Sequence, residues 1–91
     1  MGNTKVVPIT DQQALGNAEF AAGFRDVAKS KGWNERRNPV EQWNYERGRM
    51  FAVWLTTQGL NPASFPLKSG RWASKATINY YRLALSEKAV F

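Results

Sequence analysis

The side chains of this sequence that are suited to chemistry are cations set beside aromatic rings, in two segments. The linker 33–39 places one tryptophan close to two arginines. A later segment, 71–82, spaces three cations four and seven residues apart, which is one face of a helix. Such cations bind phosphate oxygens, and exposed rings stack on unpaired bases. The predicted nucleic-acid-binding residues are therefore Trp33, Arg36, Arg37, Arg71, Lys75 and Arg82.

Each segment also has an ordinary structural interpretation. Trp33 can cap the core while the two arginines beside it are simply solvated. The basic face of the later helix can equally be a solvated surface.

The overall charge favours a polyanionic partner. The chain has 13 Lys and Arg residues against 7 Asp and Glu, for a net charge of +6 over 91 residues. The excess lies in the middle and the tail, since residues 25–49 hold seven basic and four acidic side chains. A charge of this kind attracts nucleic acid through counterion release, although it can also serve solubility alone.

Several chemistries are excluded by composition. The chain has no Cys and no His, so it lacks a thiolate nucleophile, an imidazole base and the usual zinc ligands. Its few acidic residues are scattered, and no Gly-rich phosphate loop is present. We therefore expect no enzyme activity, no catalytic residues, no cofactor and no metal. No apolar run reaches the about 20 residues of a membrane span, so a cytoplasmic location without membrane contact is expected.

The hydrophobic periodicity predicts a single all-α domain over residues 10–91 after a flexible arm at 1–9. The first of three helices starts near Thr10 or Asp11, or later at Asn17, and ends at Gly32. Phe20, Phe24 and Val27 form its apolar face.

The second helix has the clearest start signal, with Asn38 as N-cap, Pro39 at the first position and Glu41 completing a capping-box pattern. It runs about 20 residues to Gly59. Its apolar residues Trp43, Met50 and Trp54 are expected in the core.

A long loop over residues 59–70 then leads to the third helix. Leu60, Phe65 and Leu67 are expected to anchor this loop. The helix is predicted over residues 71–88, capped by Ser69 or Ser74, with an apolar stripe formed by Ile78, Tyr81, Ala84 and Leu85. No segment alternates as a strand would.

Glycine inside two of the predicted helices indicates a close helix crossing. Gly48 costs about 1 kcal/mol relative to Ala within a helix, so some packing gain must offset it. Phe20 to Gly23 and Tyr45 to Gly48 both read aromatic-x-x-Gly. The two glycines are therefore expected to meet where the first two helices cross.

Residues 19–54 resemble the ribosome modulation factor family and its small relatives. The shared features are the aromatic-x-x-Gly helix at Phe20–Gly23, the basic linker 29–37, the Asn38-Pro39 step, and Trp43 to Gly48 in the next helix. The resemblance implies two packed helices, ribosome binding and an RNA-facing linker. The sequence departs from the family pattern in two ways. An aromatic residue usually follows the proline in the family, whereas Val40 follows it here, and this chain adds a long loop and a third helix.

Two functions follow as hypotheses. The first is a nucleic-acid-binding or ribosome-associated regulator of host gene expression or translation, with RNA favoured over DNA. The second is a phage-encoded interaction protein that binds an acidic surface on a host protein or enzyme and inhibits it. The oligomeric state is not predicted.

Overall fold

A computed structural model describes residues 10–67 and 74–90, which form an all-α fold, as predicted. The helices are α1 (Asp11–Leu15), α2 (Ala18–Ala28), α3 (Pro39–Thr57) and α4 (Lys75–Ser86), with a 3₁₀ turn at Pro62–Ser64. These residues contain no strand. The predicted arm at 1–9, and Arg71 in the predicted site, lie outside the described residues. No helix in the described ranges combines the length and apolarity that a membrane span requires.

Of the predicted starts for the first helix, Asn17 is confirmed as the N-cap of α2, whereas Thr10 starts the separate short helix α1, which was not predicted. The Thr10 side chain accepts the Gln13 amide in a reciprocal capping box, and Asn17 Oδ1 accepts the amides of Glu19 and Phe20. Helix α2 also ends earlier than predicted, at Ala28 and not at Gly32. Ser30 takes a left-handed conformation, with φ 59°, two residues before Gly32.

Helix α3 agrees with its predicted limits. Asn38 Oδ1 accepts the Glu41 amide at 2.9 Å, and Pro39 opens the helix. Gly59 follows the last turn with φ +78°, a conformation that glycine adopts without strain. The reciprocal half of the predicted capping box does not form, since the Glu41 carboxylate accepts from Arg37 instead.

Helix α4 begins at Lys75 and not at the predicted residue 71, because Ser74, one of the two predicted caps, is the N-cap that accepts the Thr77 amide at 3.1 Å. The predicted loop anchors are confirmed, with Leu67 buried and Leu60 and Phe65 partly buried. The apolar stripe of α4 is confirmed as well. After α4 the tail returns to the core, where Val90 is 2% exposed.

The crossing of α2 and α3 depends on the two predicted glycines. A Cβ on Gly23 would lie 2.9 Å from the Tyr45 carbonyl carbon, and one on Gly48 would lie 2.7 Å from that of Phe20. Each glycine therefore touches the backbone of the aromatic residue that begins the other motif. This reciprocal contact brings the two helices together more closely than any side chain would allow.

An aromatic cluster fills the core beside this crossing. Phe51 packs against Phe20, Phe24 and Tyr81, with ring centroids 5.3 to 6.2 Å apart. The prediction that Trp43 is a core residue is wrong, since it is 51% exposed, whereas Trp54 is 6% exposed. Trp43 is nine residues from the buried Ala52, so at about 100° per residue it lies on the opposite side of α3.

Candidate binding surface

The three arginines of the predicted site that the structure describes are engaged with acidic side chains. Arg36 Nε donates to Glu19 Oε1 at 2.6 Å, and its guanidinium carbon lies 5.0 Å from the Tyr45 ring centroid. The backbone amide of Arg36 also donates to Gln42 Oε1 at 2.8 Å. This arginine therefore joins the linker to α2 and α3.

Two further cations form exposed ion pairs. Arg37 binds Glu41 through two hydrogen bonds, of 3.1 and 2.7 Å, with 85% of its side chain exposed. Arg82 donates to Asp11 of α1, with 64% of its side chain exposed. Because exposed ion pairs are worth about 0–1 kcal/mol, a stronger anionic ligand can displace either carboxylate.

Lys75 is the remaining cation of the predicted site within the described ranges. It is exposed at the first position of α4, seven residues before Arg82, and forms no ion pair with the residues described. The nucleic-acid role of the predicted set stays a prediction. What the sequence did not indicate is that three of its four described cations have acidic partners.

Trp33 stands apart from these pairs, since it is 54% exposed on a linker that is held in place. The Asn34 amide donates to Tyr45 Oη at 3.1 Å, and Tyr45 Oη donates to Asp26 Oδ2. Asn34 Nδ2 also donates to Asp26 Oδ2 at 3.0 Å. Two hydrogen bonds from Asn34 thus fix the linker beside Trp33 to α2 and α3, and the Tyr45–Asp26 bond joins their two acceptors.

The electrostatics of this linker anchor favour an ionised Asp26. Partial burial raises the pKa of Asp26, but the hydrogen bonds from Tyr45 and Asn34 and the nearby cations Lys31 and Arg49 lower it, and the net pKa is below its usual value of 3.8. Arg49 also ties the linker to α3, because its side chain donates a hydrogen bond to the Lys31 carbonyl oxygen at 3.2 Å.

Beside Trp33 an open groove runs along α3, with a volume of about 570 Å³. Its floor is mainly apolar, formed by Met50, Val53 and Trp54, and one wall is Trp33. Val53 is five residues from Gly48, so at about 100° per residue it faces away from the α2 crossing. The other residues lining the groove are Glu46, Arg49, Thr57 and Ala89.

The C-terminal tail forms the second wall of this groove. Trp54 Nε1 donates to Glu87 Oε1 at 2.9 Å, which holds the tail against α3 and brings Ala89 to the groove. The left-handed Lys88, with φ 58°, makes the turn that allows Val90 to be buried beyond it.

This surface offers apolar contact, one cation and one carboxylate rather than reactive groups. No three acidic side chains of the described segments come together as a metal site. The groove was not predicted, since Val53 was given no role and Met50, which does pack against the core, was not expected to reach the surface as well. The sequence does carry one sign of this groove: α3 has hydrophobic residues on more than one of its faces, so the core cannot cover all of them.

Comparison of the chain with known families, proteins and structures identified no match. The two packed helices that the ribosome modulation factor resemblance implies are present, and the family relationship stays a prediction.

Proposed function

We propose that this protein is a small interaction module that binds a partner protein in the groove along α3. The observation that carries this proposal is the groove itself, with half-exposed Trp33 and Val53 on a rigid framework. Protein interfaces concentrate their binding energy in aromatic and apolar residues that are desolvated on contact. The fixed linker lowers the entropy lost on binding, since Trp33 is already positioned.

The arrangement of charges supports a protein partner over a nucleic acid. Of the predicted nucleic-acid-binding cations that the structure describes, Arg36, Arg37 and Arg82 form ion pairs, which a phosphate group would have to displace. The groove contributes Arg49 and Glu46, which nearly balance. The surface of the groove is mainly apolar, and the charged phosphate backbone of a nucleic acid gains nothing from contact with apolar surface.

Site-specific photo-crosslinking tests the proposal. A photoreactive residue at Val53 is expected to crosslink one discrete protein in cells that produce the chain, and the adduct should survive nuclease. A probe at Leu83 is the matched control, because this residue is also apolar and helical, and is 46% exposed against 51% for Val53. Equal labelling from both positions, or adducts that disappear with nuclease, would refute the proposal.

A nucleic-acid-binding or ribosome-associated role is the second candidate, and one observation favours it. Lys29 and Lys31 are exposed just before Trp33 and form no ion pair with residues in the described ranges. If this role is correct, affinity for a short single-stranded RNA should fall steeply as salt rises from 50 to 200 mM. Affinity that stays flat over this range would exclude it.

A further inference from the structure

A buried arginine that does not line the groove joins α3 to α4. Arg47 is 9% exposed, and its Nη2 atom donates to Tyr81 Oη at 2.7 Å. Its Nε atom is buried without a hydrogen-bond partner. The Tyr81 hydroxyl likewise has no acceptor for its own proton among the residues that the structure describes. Two buried donors therefore lie close together without an acceptor.

The charge of Arg47 is not balanced by a carboxylate side chain. All seven Asp and Glu residues of the chain lie in the described ranges, and none of them forms an ion pair with this arginine. Arginine keeps its proton inside proteins, and a buried charge without a counterion is strongly unfavourable. Arg47 therefore requires a negative group that the acidic side chains of the chain do not supply.

Tyr81 cannot supply this negative charge, but it can help to hold the group that does. Burial raises the pKa of Tyr81 above its usual value of 10.0, Arg47 lowers it and Asp11 raises it, and the net shift is upward. The hydroxyl is therefore neutral at pH 7 and keeps its proton as a donor. Its ring packs against Phe20 and Phe51, with centroids 5.5 and 5.3 Å apart, which fixes the hydroxyl in place.

The spacing of the two donors suits a single oxyanion. The Nε and Nη2 atoms of one planar guanidinium are about 2.3 Å apart, so Tyr81 Oη lies within about 5 Å of Arg47 Nε. Two oxygen atoms of one carboxylate or phosphate can accept from donors at this separation.

An ion pair stands at the edge of these donors. Arg82 follows Tyr81 and pairs with Asp11, with side chains that are 64% and 26% exposed. Asp11 opposes an incoming anion and Arg82 favours it, so the pair as a whole is neutral. Because exposed ion pairs are weak, Asp11 can separate from Arg82 and leave this second cation to a ligand.

We propose that Arg47 and Tyr81 bind a small oxyanion between α3 and α4, whose oxygen atoms accept from Arg47 Nε and from the Tyr81 hydroxyl. The ligand is small because the arginine is nine-tenths buried, which leaves little room for a polymer. The site shares no residue with the groove, so it is independent of the proposed function.

Titration with inorganic phosphate at constant ionic strength tests the proposal. The chemical shifts of the Arg47 Nε–H group and the Tyr81 amide should change saturably, with a Kd on the order of 1 mM. Phosphate at ten times its Kd should increase the folding equilibrium constant about elevenfold in urea unfolding. Sodium acetate forms a second arm, which distinguishes a carboxylate ligand from a phosphate. Sodium chloride is the control and should produce neither effect.

Four variants locate the binding site. Arg47→Met replaces the buried charge with an apolar side chain and should abolish both effects. Arg37→Met removes an arginine that is 85% exposed, and should leave both effects unchanged. Tyr81→Phe keeps the packed ring, should weaken phosphate binding about tenfold, and decides the matter if Arg47→Met does not fold. Asp11→Asn removes the opposing charge and should strengthen binding about threefold.

The outcomes either support or overturn the site. Saturable binding of either oxyanion that depends on Arg47 supports it. Shifts that grow linearly, or equally with chloride, would mean that solvent satisfies these donors, and would overturn it. Unchanged binding in both Arg47→Met and Tyr81→Phe would place the anion elsewhere. Tighter binding of a 12-nucleotide oligouridine than of phosphate, with the same shifts at Arg47, would overturn the small ligand in favour of nucleic acid.

Discussion

Replacing Gly48 by alanine should weaken the fold, although alanine is the better helix former. The added methyl group would lie 2.7 Å from the carbonyl carbon of Phe20 and 3.0 Å from its Cα, and closer still to the carbonyl oxygen. These are backbone atoms of α2, so no side-chain rotation can relieve the contact. Helices α2 and α3 must move apart instead.

The size of the effect follows from this separation. Carbon atoms pack at about 3.5–4.0 Å, so α2 and α3 must separate by about 1 Å, which forfeits a quarter to a half of the dispersion energy of each contact they share. Overpacking of this kind costs about 1–3 kcal/mol, and the rigid obstacle places Gly48→Ala in the upper part of that range. The alanine helix propensity returns about 1 kcal/mol, which limits the loss without reversing it. We expect a net loss of about 2 kcal/mol.

Urea unfolding followed by far-UV circular dichroism measures this loss, with thermal unfolding as a second readout. A domain of this size should lose roughly 8–16 °C in Tm for about 2 kcal/mol. Gly23→Ala should behave similarly, since its methyl group would meet the Tyr45 carbonyl.

The control is Gly32→Ala, which adds the same methyl group where nothing lies within 4 Å. It should change the free energy of unfolding by less than about 0.5 kcal/mol. If Gly48→Ala were as stable as the wild type, α2 and α3 would not cross at this glycine, and the packing described above would be wrong.

Three further predictions concern polar contacts. Folding lowers the pKa of Asp26, so the ionised carboxylate stabilises the fold above pH about 4, and this stabilisation is lost as the pH falls through the pKa of the folded state. Asp26→Asn should remove this pH dependence of stability and speed amide exchange at Asn34. Tyr81→Phe deletes the hydroxyl that accepts from buried Arg47 at 2.7 Å, and should cost about 1–3 kcal/mol in urea unfolding. Arg82→Ala breaks an exposed ion pair and should cost less than about 1 kcal/mol.

Each of these predictions has a contradicting result. Unchanged acid stability in Asp26→Asn would mean that this carboxylate does not hold the linker. A neutral Tyr81→Phe would mean that the Arg47 guanidinium is satisfied by other groups, and a loss above 2 kcal/mol in Arg82→Ala would mean that its ion pair is not a surface contact.

The sequence was most informative where the structural cause is local. Asn38 with Pro39 predicted the start of α3, because capping involves residues within one turn. Gly23 and Gly48 predicted the helix crossing, because glycine destabilises a helix unless close packing offsets the cost. The division of α1 from α2 was missed because Thr10 and Asn17 are both good caps, and the sequence does not say that both are used.

The candidate site was harder to predict, because its contacts are distant in the chain. Glu19 and Arg36 are 17 residues apart, and Asp11 and Arg82 are 71 apart, so no local pattern pairs them. Trp33 was predicted to bind nucleic acid as an exposed ring; its exposure is confirmed, and the binding role stays a prediction. Val53 was overlooked because periodicity alone does not reveal which face of a broadly apolar helix lacks a neighbour.

Calorimetric binding of the partner captured at Val53 tests the central claim most directly, with wild type, Val53→Asp and Leu83→Asp compared. A carboxylate in the apolar floor should cost at least about 2 kcal/mol, or about 30-fold in Kd, whereas Leu83→Asp should stay within about twofold. Loss of affinity in Leu83→Asp with none in Val53→Asp would place the binding surface elsewhere and contradict the proposed function.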